Sequence, residues 1–348
     1  MQTIDFGTIE NLSLESGYSY CENIAKQKNP FLYYVSRFFK DKNKFKAFCS
    51  SYASMRIVDD FIDGISNRNN LSKDEMKFYL NEIDRCETQI SDCHTGKDFE
   101  NPILLALSDT FQNFNFSLKP WTKLADAMRW DIERFRFQTF EEFLDYTEGA
   151  AVAPATVFMY TLMAKRNGLI YDFAIKGIDP YFYAKDLAIF CYLTHILRDI
   201  SRDLELEETG LIYLPLEDLN EFTISEDDLR QFKKSKVINR NFQKLMMYQI
   251  QRARKYVEKG EELIRELYRK MDVDCRFILN LLVSLYKSTM DKIEKVGYNV
   301  FIGRHEMSVF EIFMTTLHKT REHSFGKMKT VGFGWSLLTM AALKRIEG

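Results

Sequence analysis

The chain is predicted to be all-α, and three observations support this. Prolines number only 6 and glycines 15 in 348 residues, too few to punctuate a strand-and-turn architecture. Apolar residues recur at spacings of three and four nearly throughout, the rhythm of an amphipathic helix. Hydrophobic residues make up 46% of the chain, ample for one large core. With no linker, no low-complexity segment and no clear repeat, residues 1–348 read as a single helical domain.

The apolar rhythm places helices at about 9–26, 29–39, 43–65, 72–92, 99–112, 118–135, 139–148, 150–166, 179–206, 225–234, 238–271, 273–297 and 306–322. Thr139, with Glu142 three residues on, is an N-cap with its capping-box glutamate. Loops are expected around Asn69 and Asn70, at CHTGKDFENP and at ETGLIYLPLEDL.

A net charge of -2 gives no reason to expect nucleic acid. Six cysteines show no zinc or CxxC spacing, and no signal peptide is visible, so they read as reduced thiols in a cytoplasmic protein. No apolar stretch reaches the ~18 residues a spanning helix needs. The nearest, Val331 to Leu343, follows the basic HKTREHSFGKMK; it reads first as a core helix and second as a peripheral contact with a membrane surface. Aromatic residues make up 14%, with 29 Phe and 18 Tyr. They either fill a core or line a cavity whose ring faces suit an apolar or transiently cationic ligand.

Two short stretches carry the chemistry. RIVDDFIDG holds Asp59 and Asp63, and THILRDISRD holds Asp199 and Asp203. Residues four apart on a helix share one face at about 6 Å, so each pair is a stripe of like charge. Alone, either stripe reads as a solvated helix face. Two of them in apolar helices, with Arg56 and Arg198 beside them, instead call for a counter-charge. Magnesium fits: it takes carboxylate oxygens and keeps positions open for phosphate. Arginine forks bind diphosphate oxygens.

The chain resembles the squalene/phytoene synthases, the head-to-head prenyl synthases. YASMRIVDDFIDG and LTHILRDISRDLELEETGLIYLPLEDL look like that family's two signature regions. PFLYYVSRFF, DIERFRFQTFEEFLDYTEGAAVAPA and LYKSTMDKIEKVGYNVF match its other segments, the last more like the phytoene and dehydrosqualene branch. The resemblance implies an all-α isoprenoid-synthase fold around a central cavity. It implies that two C15 or C20 prenyl diphosphates are joined through a cyclopropylcarbinyl diphosphate to a squalene- or phytoene-type hydrocarbon. Magnesium, or manganese in its place, would be held by Asp59 and Asp63 from one side and by Asp199 and Asp203 from the other. Arg56 and Arg198 would bind diphosphate, Tyr52 and Tyr286 would line the reacting site, and Tyr146 would face the cavity. Use of NADPH is left open. The expected protein is a monomer or weak dimer, cytoplasmic or peripheral to the inner face of a membrane.

Several positions depart from the family pattern. His195 stands where asparagine is usual and Tyr192 where glutamine is usual. His195 reads as a packed, hydrogen-bonded wall residue, a weaker metal ligand, or an acid/base. Leu211 replaces an arginine before IYLP, Pro154 and Ala155 replace a small turn, and Lys28 is the charged stand-in within KQKNP. Two other readings stay in view: a terpene cyclase acting on one prenyl diphosphate, and a non-catalytic prenyl-binding or assembly protein. The intact aspartates count against the second.

Overall fold

Side-chain caps set where most of the helices begin. Ser13, Asp41, Ser72, Asn101, Thr139, Ser225 and Asn239 each accept a first-turn backbone N–H that has no partner inside the helix. The structure, a computed structural model, describes residues 3–65, 70–97, 99–133, 136–204, 212–303, 311–312 and 314–316. The order is α1 (Leu14–Lys28), α2 (Pro30–Ser36), α3 (Lys42–Asp63), α4 (Lys73–His94), α5 (Pro102–Asn113), α6 (Lys119–Glu133) and α7 (Phe140–Thr147). A π-helical turn, Glu148–Val152, leads into α8 (Ala153–Met163). A hairpin follows, β1 (Ala164–Asn167) and β2 (Ile170–Phe173), then α9 (Tyr181–Asp203), α10 (Leu216–Glu221), α11 (Glu226–Ser235), α12 (Arg240–Leu267) and α13 (Val273–Lys295).

One contiguous apolar core joins these elements. α9 packs along α12, α1 sits on α3 and α5, and α8 lies between α6, α3 and α9. α3, α8, α9, α13 and the π turn thus surround a central space, and the all-helical expectation holds. No helix among the described residues is long and apolar enough to cross a membrane.

Two expectations are corrected. The helix expected over 150–166 stops at Met163, and the chain turns back as a hairpin pairing Ala164 with Phe173 and Asn167 with Ile170. The two-residue turn is Gly168–Leu169, a glycine-first hairpin signal that helical spacing overlooks, and Gly168 supplies the positive φ of +63° that the tight turn requires. The loop expected at ETGLIYLPLEDL carries the start of α10, because Pro215 needs no N–H at a helix N-cap. Pro154 is accommodated likewise in the first turn of α8. Leu211, the segment Val331 to Leu343 and most of the helix expected over 306–322 lie outside the described residues; positions 311–312 and 314–316 are helical.

Gly149 sets the approach of the π turn to α6. A Cβ there would stand 2.0 Å from the Lys123 carbonyl oxygen and 2.6 Å from the Ala127 methyl. Gly149→Ala should therefore cost at least about 1–3 kcal/mol of stability. Chemical denaturation checks this; an unchanged midpoint would mean the two segments do not meet so closely.

Candidate active site

Helical spacing on α3 places Tyr52, Arg56, Asp59, Asp60 and Asp63 at its C-terminal end. On α9 the same spacing aligns Tyr192, His195, Arg198, Asp199, Arg202 and Asp203. Asp63 is the last residue of α3 and Asp203 the last of α9. Both stripes therefore end where the helix dipole disfavours anions.

Guanidinium groups hold the first stripe together. Arg56 Nη1 lies 2.8 Å from Asp59 Oδ2, its Nη2 binds Asp60, and Asp63 Oδ2 is 3.9 Å away. Burial opposes the Arg56 charge, but Asp59 and Asp60 outweigh it and hold its pKa above the usual value. Lys28, the last residue of α1, does not stand alone: its Nζ is 2.7 Å from Asp60 Oδ2.

On α9, Arg198 donates twice to Asp199, Nε to Oδ1 and Nη2 to Oδ2, each at 2.7 Å. Arg202 adds a third bond to Oδ2 at 2.7 Å. Burial works against ionisation, yet these arginines keep Asp199 below the usual carboxylate range. Asp203 behaves oppositely. Burial raises its pKa to about 7, reinforced by the charges of Asp199 and Asp63, while Arg202 Nε stands 3.9 Å off. Asp199 and Asp203 are not among the residues that line the cavity described next, whereas Asp59 and Asp63 are.

Behind them lies a cavity of about 440 Å³, large enough for a small ligand. Tyr52, Arg56, Asp59 and Asp63 line it from α3, Tyr192 and His195 from α9, and Tyr286 from α13. Tyr146 and Tyr213 add two further rings, and Pro154 and Ala155 form part of its wall. Burial pushes the Tyr52 hydroxyl up to about 12 and those of Tyr146, Tyr192 and Tyr286 above their usual value. All four therefore stay protonated donors at neutral pH. Tyr146 Oη donates to Asp131 Oδ2 at 2.9 Å.

His195 Nε2 and Tyr286 Oη share a hydrogen bond of 3.1 Å, their rings 5.3 Å apart. Burial, with Arg198 adding to it, lowers the imidazole pKa to about 4. The ring is neutral at pH 7.

Among the described residues no three His, Cys, Asp or Glu side chains converge as a ready-made metal site. The donor set nevertheless suits magnesium, which takes one or two carboxylates and completes its shell with water and phosphate. The donors are hard oxygens in pairs, two near the C-terminal end of each helix.

Asp60 and Tyr213 were missed in the sequence, and Arg202, visible just before Asp203, was given no role there. Asp60 stands four residues after Arg56 and Arg202 three after Asp199, so helical spacing could have found both. Nothing local marks Asp131 as the partner of Tyr146, because it comes from a different helix.

The family model for squalene/phytoene synthase matches residues 25–311. A 15-cis-phytoene synthase of Synechocystis sp. is 30% identical over 307 residues, covering 84% of this chain and 81% of that one. A phytoene synthase of Arthrospira platensis is 28% identical over 291 residues, covering 82% and 87%. Among solved structures, a dehydrosqualene synthase in complex with ligand superposes with a TM-score of 0.70 at 22% identity, covering 89% and 97%. A squalene synthase from Alicyclobacillus acidocaldarius gives 0.66 at 21%, covering 82% and 96%. These two likenesses bear on the fold.

The neutral histidine has a measurable consequence. The unfolded chain takes up this proton near the ordinary 6.5 and the folded chain only near 4. Between those values the unfolded state binds more protons, so stability falls as pH drops through the window. On acidification from pH 7 to 5 the wild type should lose more stability than His195→Asn. Equal losses would mean that the ring is not held neutral.

Proposed function

The chain belongs to the squalene/phytoene synthase family and is a prenyltransferase; we propose that it joins two prenyl diphosphates head to head, in dependence on magnesium, in the cavity between α3 and α9. The observation that most supports this reading is the aromatic-lined cavity with Arg56, Asp59 and Asp63 in its wall and the clamped Asp199 one helical turn from the cavity-lining His195. A diphosphate needs charge at one end of the site, and a prenyl chain needs an apolar space behind it.

Asp59, Asp63, Asp199 and Asp203 would hold the metal. When bound, magnesium would offset the charge that gathers on a diphosphate as its C–O bond ionises. Arg56 and Arg198 present forks that carboxylates now occupy and that diphosphate oxygens would share. Lys28 adds a point charge beside them. Deeper in, Tyr52, Tyr146, Tyr192 and Tyr286 offer ring faces that favour a transient carbocation. Their hydroxyls stay protonated and are poor traps for it. A neutral His195, fixed on Tyr286, adds no positive charge to repel that cation. The product of this reading is a squalene- or phytoene-type hydrocarbon formed through a cyclopropylcarbinyl diphosphate. Cavity depth along α8, where Pro154 and Ala155 stand, would set whether C15 or C20 chains fit.

Incubation with C15 and C20 diphosphates, with and without NADPH and with EDTA in parallel, tests the reading by mass analysis. A hydrocarbon of twice the donor length, lost on chelation, is expected. A product of single length would overturn it in favour of a cyclase, and binding without turnover would favour a carrier. Asp59→Ala should lower turnover at least a hundredfold, roughly 2.7 kcal/mol of barrier. Asp199→Asn should do the same. The amide is chosen because alanine would strand the half-buried Arg198 without its partner. Circular dichroism should show both variants folded; turnover at the wild-type rate would make that stripe a plain helix face.

A further inference from the structure

A second depression, larger than the catalytic cavity at about 1140 Å³, opens on the far side of α8. Its floor is apolar, with Phe116, Pro120, Tyr160, Phe173 and Ile175. Around it the surface carries large apolar side chains in the open. Leu169, at the tip of the hairpin whose strands flank the depression, is 85% exposed, and Phe182 at the start of α9 is 52% exposed. Ile170 and Ile178 are exposed too. Single exposed hydrophobes are ordinary, but four gathered around one open apolar depression are not.

The charges of this face are unequally satisfied. Glu148 is held by Lys185 at 2.6 Å. Asp172 accepts from the Asn115 and Asn167 amides, and Asp179 from the Tyr181 backbone N–H. Lys165 is bound to Asp272. Lys119, Lys123 and Lys176 stand exposed on the rim and form no ion pair with any described residue. Asp172 and Asp179 keep their charges, because their donors are neutral; the lining still carries four lysines against three acids, and three of those lysines have no ion-pair partner among the described residues.

We infer that this face docks on an anionic lipid bilayer, with Leu169 and Phe182 entering the interface and Lys119, Lys123 and Lys176 meeting the headgroups. Apolar residues ringed by unpaired lysines complement such a surface in both respects. A second copy of the chain would offer only the acids of a nearly neutral protein, and its own lysines would face these. The position also suits the function proposed above. Val157 of α8 lines both the depression and the central cavity, so one helix separates the reaction from the docked face. An apolar product would leave toward the membrane. That purpose rests on the proposed reaction; the docking does not.

Vesicle sedimentation tests it without any turnover. The full chain is mixed with vesicles of phosphatidylcholine alone or with added phosphatidylglycerol. Binding is expected to the anionic vesicles, to weaken as salt rises, and to be nearly absent on neutral ones. Reversing the three lysines (K119E, K123E, K176E) should reduce binding about a hundredfold. Leu169→Asp with Phe182→Asp should reduce it about tenfold or more. Sedimentation velocity and circular dichroism should show each variant folded and of unchanged size. Equal binding by wild type and lysine variant would overturn the inference, because another part of the chain would then hold the membrane. So would a dimer that these substitutions dissolve.

Discussion

Asp63 closes α3 and Asp203 closes α9, so four carboxylates of two stripes crowd the negative ends of two helices. Helix dipole and mutual repulsion both oppose this arrangement. Much of the surrounding structure offsets it. Arg56 is shared among three aspartates, and α1 is packed so that its last side chain reaches Asp60. Arg198 and Arg202 together clamp Asp199. The long contact of α12 along α9 keeps the second stripe from moving away from the first. The carboxylates are thus held in place by the protein's own cations.

The other half of the site is held by rings. Trp130 stacks on Phe137 at 4.4 Å, Phe137 meets Tyr146, and Phe143 stacks on Tyr192 at 5.7 Å. The cavity tyrosines are therefore fixed from behind by a packed aromatic layer, and Tyr146 also by its bond to Asp131. Such a wall is rigid, presents π faces forward and exposes few lone pairs. Those properties suit a ligand that is apolar along its length and briefly positive at one carbon.

How much of this could be read in the sequence depends on the range of each interaction. The two stripes, Arg56 and the cavity-facing residues of α9 follow from spacing within single helices, and the all-helical class follows from periodicity. What joins helices does not. The pairing of Lys28 with Asp60, of Tyr146 with Asp131 and of His195 with Tyr286 depends on tertiary packing that no local window contains. The hairpin was missed for a different reason. Its turn dipeptide was visible, but the preceding helix is apolar on nearly every side, and its rhythm masked the stop at Met163.

The π turn at Glu148–Val152 marks how such a cavity can be re-aimed over evolutionary time. A π turn is an α-helix with one residue inserted, and one residue corresponds to about 100° of rotation and 1.5 Å of rise. Deleting that residue would restore the ordinary ladder and swing the whole face of α8, Pro154 and Ala155 included, around its axis. Neither α3 nor α9 passes through the turn, so Asp63 and Asp203 keep their places at the ends of their own helices. A lineage could therefore change the shape of this cavity by a single codon gained or lost, leaving the two carboxylate stripes in place.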